Sequence, residues 1–91
     1  MNKDYKMKIV AIEKKQETVI LEKGEVVEIQ NCTNVTNCTN HHTLYSFEEF
    51  IDTNLGAQLP QDELLTLPAG ISTIYIKASE QQGTQLSVFK V

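Results

Sequence analysis

The sequence predicts an all-β fold: a small antiparallel β-sandwich, immunoglobulin-like or jelly-roll-like, with at most one short helix. Six or seven short runs rich in β-branched and aromatic residues are separated by turn signals, which is the pattern of a sandwich or barrel. The 91 residues make a single domain spanning 1–91, because a chain of this size buries roughly 60 to 65% of its unfolded surface and fills one small core. The third observation is negative. Only the segment near residues 47–53 suggests a helix.

From the start, Tyr5 to Ile12 alternates in part, with Tyr5, Met7, Ile9 and Ala11 on one side and Lys6 and Lys8 on the other, so it reads as a strand beside a core. Glu13-Lys14-Lys15-Gln16 breaks it. Thr18 to Leu21 and Val26 to Gln30 flank Glu22-Lys23-Gly24-Glu25, where Gly supplies a positive φ, and the pair predicts a hairpin. Thr43 to Phe47 is a further candidate strand. Ser46-Phe47-Glu48-Glu49 fits a capping box and predicts a helix near 47–53, ending before Gly56. Gln58 to Glu63 contains Pro60 and reads as a loop, Leu64 to Leu67 as a short apolar strand, and Pro68-Ala69-Gly70 as a tight turn. Ile71 to Ala78 is the strongest strand, with Ile74 and Ile76 opposing Thr73, Tyr75 and Lys77. Glu80-Gln81-Gln82-Gly83 turns the chain into a last strand, Gln85 to Val91, in which Leu86 and Val88 alternate with Ser87 and Phe89. Edge strands invite partners, and this final strand carries only Lys90 as a guard. It is therefore a candidate assembly edge, although the commoner outcome for such a strand is pairing inside its own sheet.

Composition excludes some function classes. A net charge of −4, with eight Lys and no Arg, provides neither the basic field nor the bidentate guanidinium that nucleic-acid binders use. Ile9 to Ile12 is too short an apolar run for a signal-peptide core or a membrane span, so the expectation is a cytosolic origin and no membrane partner.

The most unusual stretch runs from Asn31 to Asn40: Asn-Cys-Thr, Asn-Val-Thr and Asn-Cys-Thr in tandem, then His41-His42. A period of three suits neither a strand nor a helix, and the tract predicts a surface loop or edge strand. Its three glycosylation triplets would need the secretory pathway, and Asn and Thr suit turns for their own reasons. If the tract is extended, the Cα atoms of Cys32 and Cys38 lie about 20 Å apart, beyond disulfide reach, so two free thiols are expected. Adding His41 and His42 gives C-x5-C-x2-H-H, the ligand types of a zinc site without its usual spacing, and adjacent histidines on an extended chain point to opposite faces. No metal or cofactor is expected. Catalysis is not expected either: Ser46, Ser72, Ser79 and Ser87 lie in no nucleophile-elbow context, and four glycines form no phosphate loop. The pairs Glu48-Glu49 and Asp62-Glu63 read as solvated charges.

Leu64-Leu65-Thr66-Leu67-Pro68-Ala69-Gly70-Ile71-Ser72-Thr73-Ile74-Tyr75-Ile76-Lys77-Ala78, with the Gly-containing turn and final strand up to residue 91, resembles the closing hairpins of small β-sandwich virion proteins of tailed bacteriophages, of the capsid auxiliary, decoration or head-fibre type. The resemblance implies a non-enzymatic structural protein, assembled in many copies on major capsid or fibre proteins and located in the virion after assembly in the host cytoplasm. The alternative is a carbohydrate- or ligand-binding module using Tyr45, Phe47, Phe50 and Tyr75 as stacking platforms. The absence of Trp, and the suitability of Phe47 and Phe50 for core packing, weigh against it.

Overall fold

The computed structural model describes residues 6–39, 41–78 and 83–91. These form nine strands and no helix: β1 (Lys6–Ala11), β2 (Gln16–Leu21), β3 (Glu25–Gln30), β4 (Asn34–Asn37), β5 (Thr43–Ser46), β6 (Ala57–Gln58), β7 (Leu65–Thr66), β8 (Thr73–Ala78) and β9 (Thr84–Phe89). One sheet has the order β1-β3-β8-β5-β6 and the other β2-β9-β4-β7.

The pairings β2/β9, β3/β8, β4/β7 and β5/β6 are all antiparallel. They are the rungs of one long hairpin whose midpoint lies between β5 and β6. Rolling that hairpin up sends alternate rungs into opposite sheets, and β4/β9 and β5/β8 then close the roll. This is the connectivity of an eight-stranded jelly roll, a β-sandwich of two interlocked Greek keys. β1 is added outside it, parallel to β3.

Because consecutive strands alternate between sheets, two expected hairpins do not form. β2 and β3 lie in different sheets, and the turn between them is a corner. There the Glu25 N–H donates to Glu22 O at 3.0 Å with Gly24 at φ 75°, and the Glu22 N–H finds Glu25 Oε1 at 2.8 Å instead of a ladder partner. The closing strands behave alike: β7, β8 and β9 alternate between sheets, so they are not hydrogen-bonded hairpins. Between β7 and β8 the Ile71 N–H reaches Pro68 O with Gly70 at φ 84°, the conformation of a type II turn. The Gly-containing turn before β9 is described only at Gly83; the rest of it lies outside the described residues.

The inward faces of both sheets interleave in one core, with Leu21, Val35, Leu86 and Val88 from one sheet against Val27, Ile29, Ile74 and Ile76 from the other. Each such side chain contributes about 2 kcal/mol relative to exposure. In β1 the expected facing is reversed. Met7, Ile9 and Ala11 share a face, but it is the exposed outer face, while Val10 and Ile12 pack on the core. Residues 9–12 are apolar at both parities, so period two alone does not decide which pair is buried. Tyr5 lies outside the described residues.

Residues 47–53 are not helical. The Ser46 hydroxyl accepts from the Glu48 N–H at 3.0 Å, two residues on, where a capping box would need the third. The Asn54 amide donates to the same hydroxyl at 2.8 Å and to Glu49 O at 2.9 Å, tying the segment into a closed loop. Phe50 is buried outside the main core, under the Lys77 ammonium, which lies 5.9 Å from its ring centre. The loop thus covers part of the outer face of the five-stranded sheet.

The last strand is not an edge. β9 lies between β2 and β4, and the Lys90 N–H donates to Lys15 O at 2.9 Å, so its backbone is paired inside its own sheet.

Candidate functional surface

Contrary to what its polarity and three-residue period predict, the described part of the tract, Asn31 to Thr39, is neither a surface loop nor an edge strand throughout: it alternates between buried residues (Cys32, Val35, Asn37) and half-buried or exposed ones, and its strand lies inside a sheet. Asn31, at φ 64°, turns the chain out of β3 and donates its amide to Ile12 O at 3.0 Å. β4 then runs between β9 and β7, and Cys32, Val35 and Asn37 are all buried. A buried amide is tolerated here because every polar atom on it is satisfied. Asn37 Nδ2 donates to His41 O at 3.2 Å, and Asn37 Oδ1 accepts from both the Thr39 N–H and the Thr39 hydroxyl at 3.1 Å. Thr43 donates to His41 O at 3.0 Å, and His41 Nδ1 lies 3.3 Å from the hydroxyl of buried Thr84. This network joins β4, β5 and β9. It is a structural network in which both polar atoms of the buried Asn37 amide are bonded.

Cys32 and Cys38 are both free thiols. Burial pushes the Cys32 thiol up to about 11, which keeps it protonated and unreactive near neutral pH. Cys38 is on the surface. Among the described residues no three His, Cys, Asp or Glu side chains are grouped to hold a metal ion.

The aromatic side chains are largely committed to packing. Tyr45 and Phe47 meet edge to face at 5.6 Å and lean on the core, and Phe50 is buried. Tyr75 stands on the outer face in register with Glu28 and Ser46. Its hydroxyl is raised in pKa by desolvation first and then by the nearby charges of Glu28 and Glu49.

The four sheet edges are not alike. β6 and β7, which end the two sheets on one flank, have two residues each, too short to template a partner. On the other flank β1 and β2 have six residues each. β2 is guarded: the Lys8 side chain crosses between the sheets, donates to Ile20 O at 2.9 Å and lies 3.6 Å from the Glu25 carboxylate. Nearby, the Glu17 carboxylate accepts from the Glu13 and Lys14 N–H groups at 2.8 and 2.9 Å, bonds that lower its pKa and brace the bend from β1 into β2.

β1 remains. Among the described residues it is the sheet's terminal strand and pairs only with β3. Its outer face carries Met7 at 38% and Ile9 at 62% exposure. Sequence reasoning missed this surface because it assigned Met7 and Ile9 to the core; the available signal was that Val10 and Ile12 offer an equally apolar face of opposite parity.

Comparison of the chain with models of known protein families, with curated proteins and with solved structures found no match.

Proposed function

We propose that this chain is a non-enzymatic structural protein, a capsid auxiliary, decoration or fibre-associated component of a phage-type virion, assembled in many copies through protein–protein contacts. The observation that carries the assembly part of this reading is β1, a six-residue edge with exposed Met7 and Ile9 whose outward backbone groups have no partner strand among the described residues, in a domain whose other edges are short or capped by Lys8. The virion part rests on the resemblance of residues 64–91 and on the use of jelly rolls in capsid proteins, which is a fold-level analogy. Many equivalent weak contacts hold such a component by avidity.

The same architecture serves lectin domains. A sugar-binding role has less support, since Tyr45, Phe47 and Phe50 are occupied in packing. The test is a density gradient of lysate from the source that makes the chain, followed by mass spectrometry of each fraction. Sedimentation with assembled particles is the expected result. Recovery of the protein only as free molecules, together with retention on a glycan array, would replace this reading with the sugar-binding one.

A further inference from the structure

We propose that β1 is a joint between two copies of this chain, which pair antiparallel about a two-fold axis at Ile9 and extend the five-stranded sheet across both molecules. This inference rests on the assembly reading above and names its partner. The backbone sets the geometry first. The Ile12 N–H donates to Gln30 O, and the two-residue alternation of a parallel ladder then turns the N–H and C=O groups of Met7, Ile9 and Ala11 away from β3 toward the open edge.

With the axis at Ile9, Ile9 opposes its own copy and Met7 opposes Ala11. Every edge-facing residue of β1 then belongs to a hydrogen-bonded pair. The side chains of those residues lie on the exposed outer face, so the two copies present one continuous apolar strip. On the other face Lys8 opposes Val10. Moving the axis to Lys8 would set two lysines directly opposite, which is destabilising, and a half-step shift would turn the outer face of one copy against the core side of the other.

A second copy is the occupant these features fit. A partner strand must bring unpaired donors and acceptors at alternate residues, an apolar outer face, and no cation opposite Lys8. Among the described residues β1 itself meets these conditions. Lys8 is already held by Glu25 and Ile20 O, so it offers little repulsion to the approaching strand.

The test combines sedimentation equilibrium with register-specific cross-linking of the full chain. Wild type is expected to form a dimer, and Ile9→Pro, which deletes an edge-facing donor in each copy, to weaken it about tenfold. In a Cys38→Ser background, Ile9→Cys should oxidise to a disulfide dimer, because opposed residues have Cα atoms about 5.5 Å apart, within disulfide range. Met7→Cys should not cross-link until Ala11→Cys is added. This series decides the register even if Ile9→Pro does not fold. A wild type that stays monomeric at every concentration reached, or Met7→Cys cross-linking as fast as Ile9→Cys, overturns the joint. A monomer that still sediments with particles removes the joint and leaves the assembly reading. A dimer absent from particles supports the joint and removes the virion reading.

Discussion

Replacing Asn37 by Ala asks whether the Asn-Thr repeat is structural. The side chain is buried at 1% exposure and makes three hydrogen bonds, one donated to His41 O and two accepted from Thr39. His41 O keeps its bond from Thr43, so the principal loss is the acceptor for the Thr39 N–H and hydroxyl, together with the space the amide filled. At about 1 kcal/mol per bond, with partial rescue by water at half-buried Thr39, the expected destabilisation is about 2 to 3 kcal/mol. For a domain of this size that lowers Tm by about 10 to 20 °C. Asn34→Ala is the control. Asn34 opens the same strand and bonds Thr66 Oγ1 at 2.8 Å, but in solvent, so its loss should cost less than about 0.5 kcal/mol. Urea denaturation monitored by circular dichroism measures both. Equal losses for the two variants, or less than 0.5 kcal/mol for Asn37→Ala, would refute the argument that the repeat is read differently on its two faces.

Three further expectations follow from the same geometry. Gly56 adopts φ 83°, and an added Cβ would lie 2.6 Å from Phe50 Cε1 and 2.7 Å from Tyr45 O, so Gly56→Ala should cost about 3 kcal/mol or more, against about 1 kcal/mol for Gly24→Ala, which has the conformation without the clash; thermal melts compare them. Cys32, raised from an ordinary 9.0 to about 11 by burial, holds its proton in the folded state after the unfolded chain has lost it; stability should therefore fall as pH rises from about 9 to 11, by up to about 1.4 kcal/mol per unit, and Cys32→Val should remove that component, while a thiol reagent should label Cys38 in the native protein and Cys32 only on unfolding. Lys90→Pro deletes the donor to Lys15 O and should lower stability by about 1 to 2 kcal/mol; an unchanged melting temperature would show that this bond contributes nothing.

Much of the fold was legible because β-branched runs and glycine turns act locally. Ile74 and Ile76 inward, Tyr75 and Lys77 outward, and the turn at Gly70 all appear where the pattern places them. What was not legible depends on pairing between distant strands. Gly24 marks a turn whether the chain stays in one sheet or crosses to the other, so a corner and a hairpin look alike. The Asn-Thr repeat hid β4 because the burial of Asn37 depends on the Thr39 and His41 groups that receive it, and hydropathy assigns such a residue to the surface. In residues 9–12 both parities are apolar, and it is the pairing with β3, including the Ile12 N–H donated to Gln30 O, that decides which backbone groups face the edge.

The rolled-up connectivity also dictates an order of events during folding. No two strands consecutive in sequence from β1 to β5 hydrogen-bond to each other, so the first half of the chain contains no hairpin on which a nucleus could form. β2 waits for β9, and Gln16 meets Ser87 across 71 positions. Closing such loops costs entropy before any contact repays it, which places folding in the slow range of about milliseconds to seconds typical of non-local β topologies. During synthesis, the four-stranded sheet cannot assemble until Thr84–Phe89 has left the ribosome. Until then β2 has no strand to pair with, and Val19 and Leu21 have no sheet to enter.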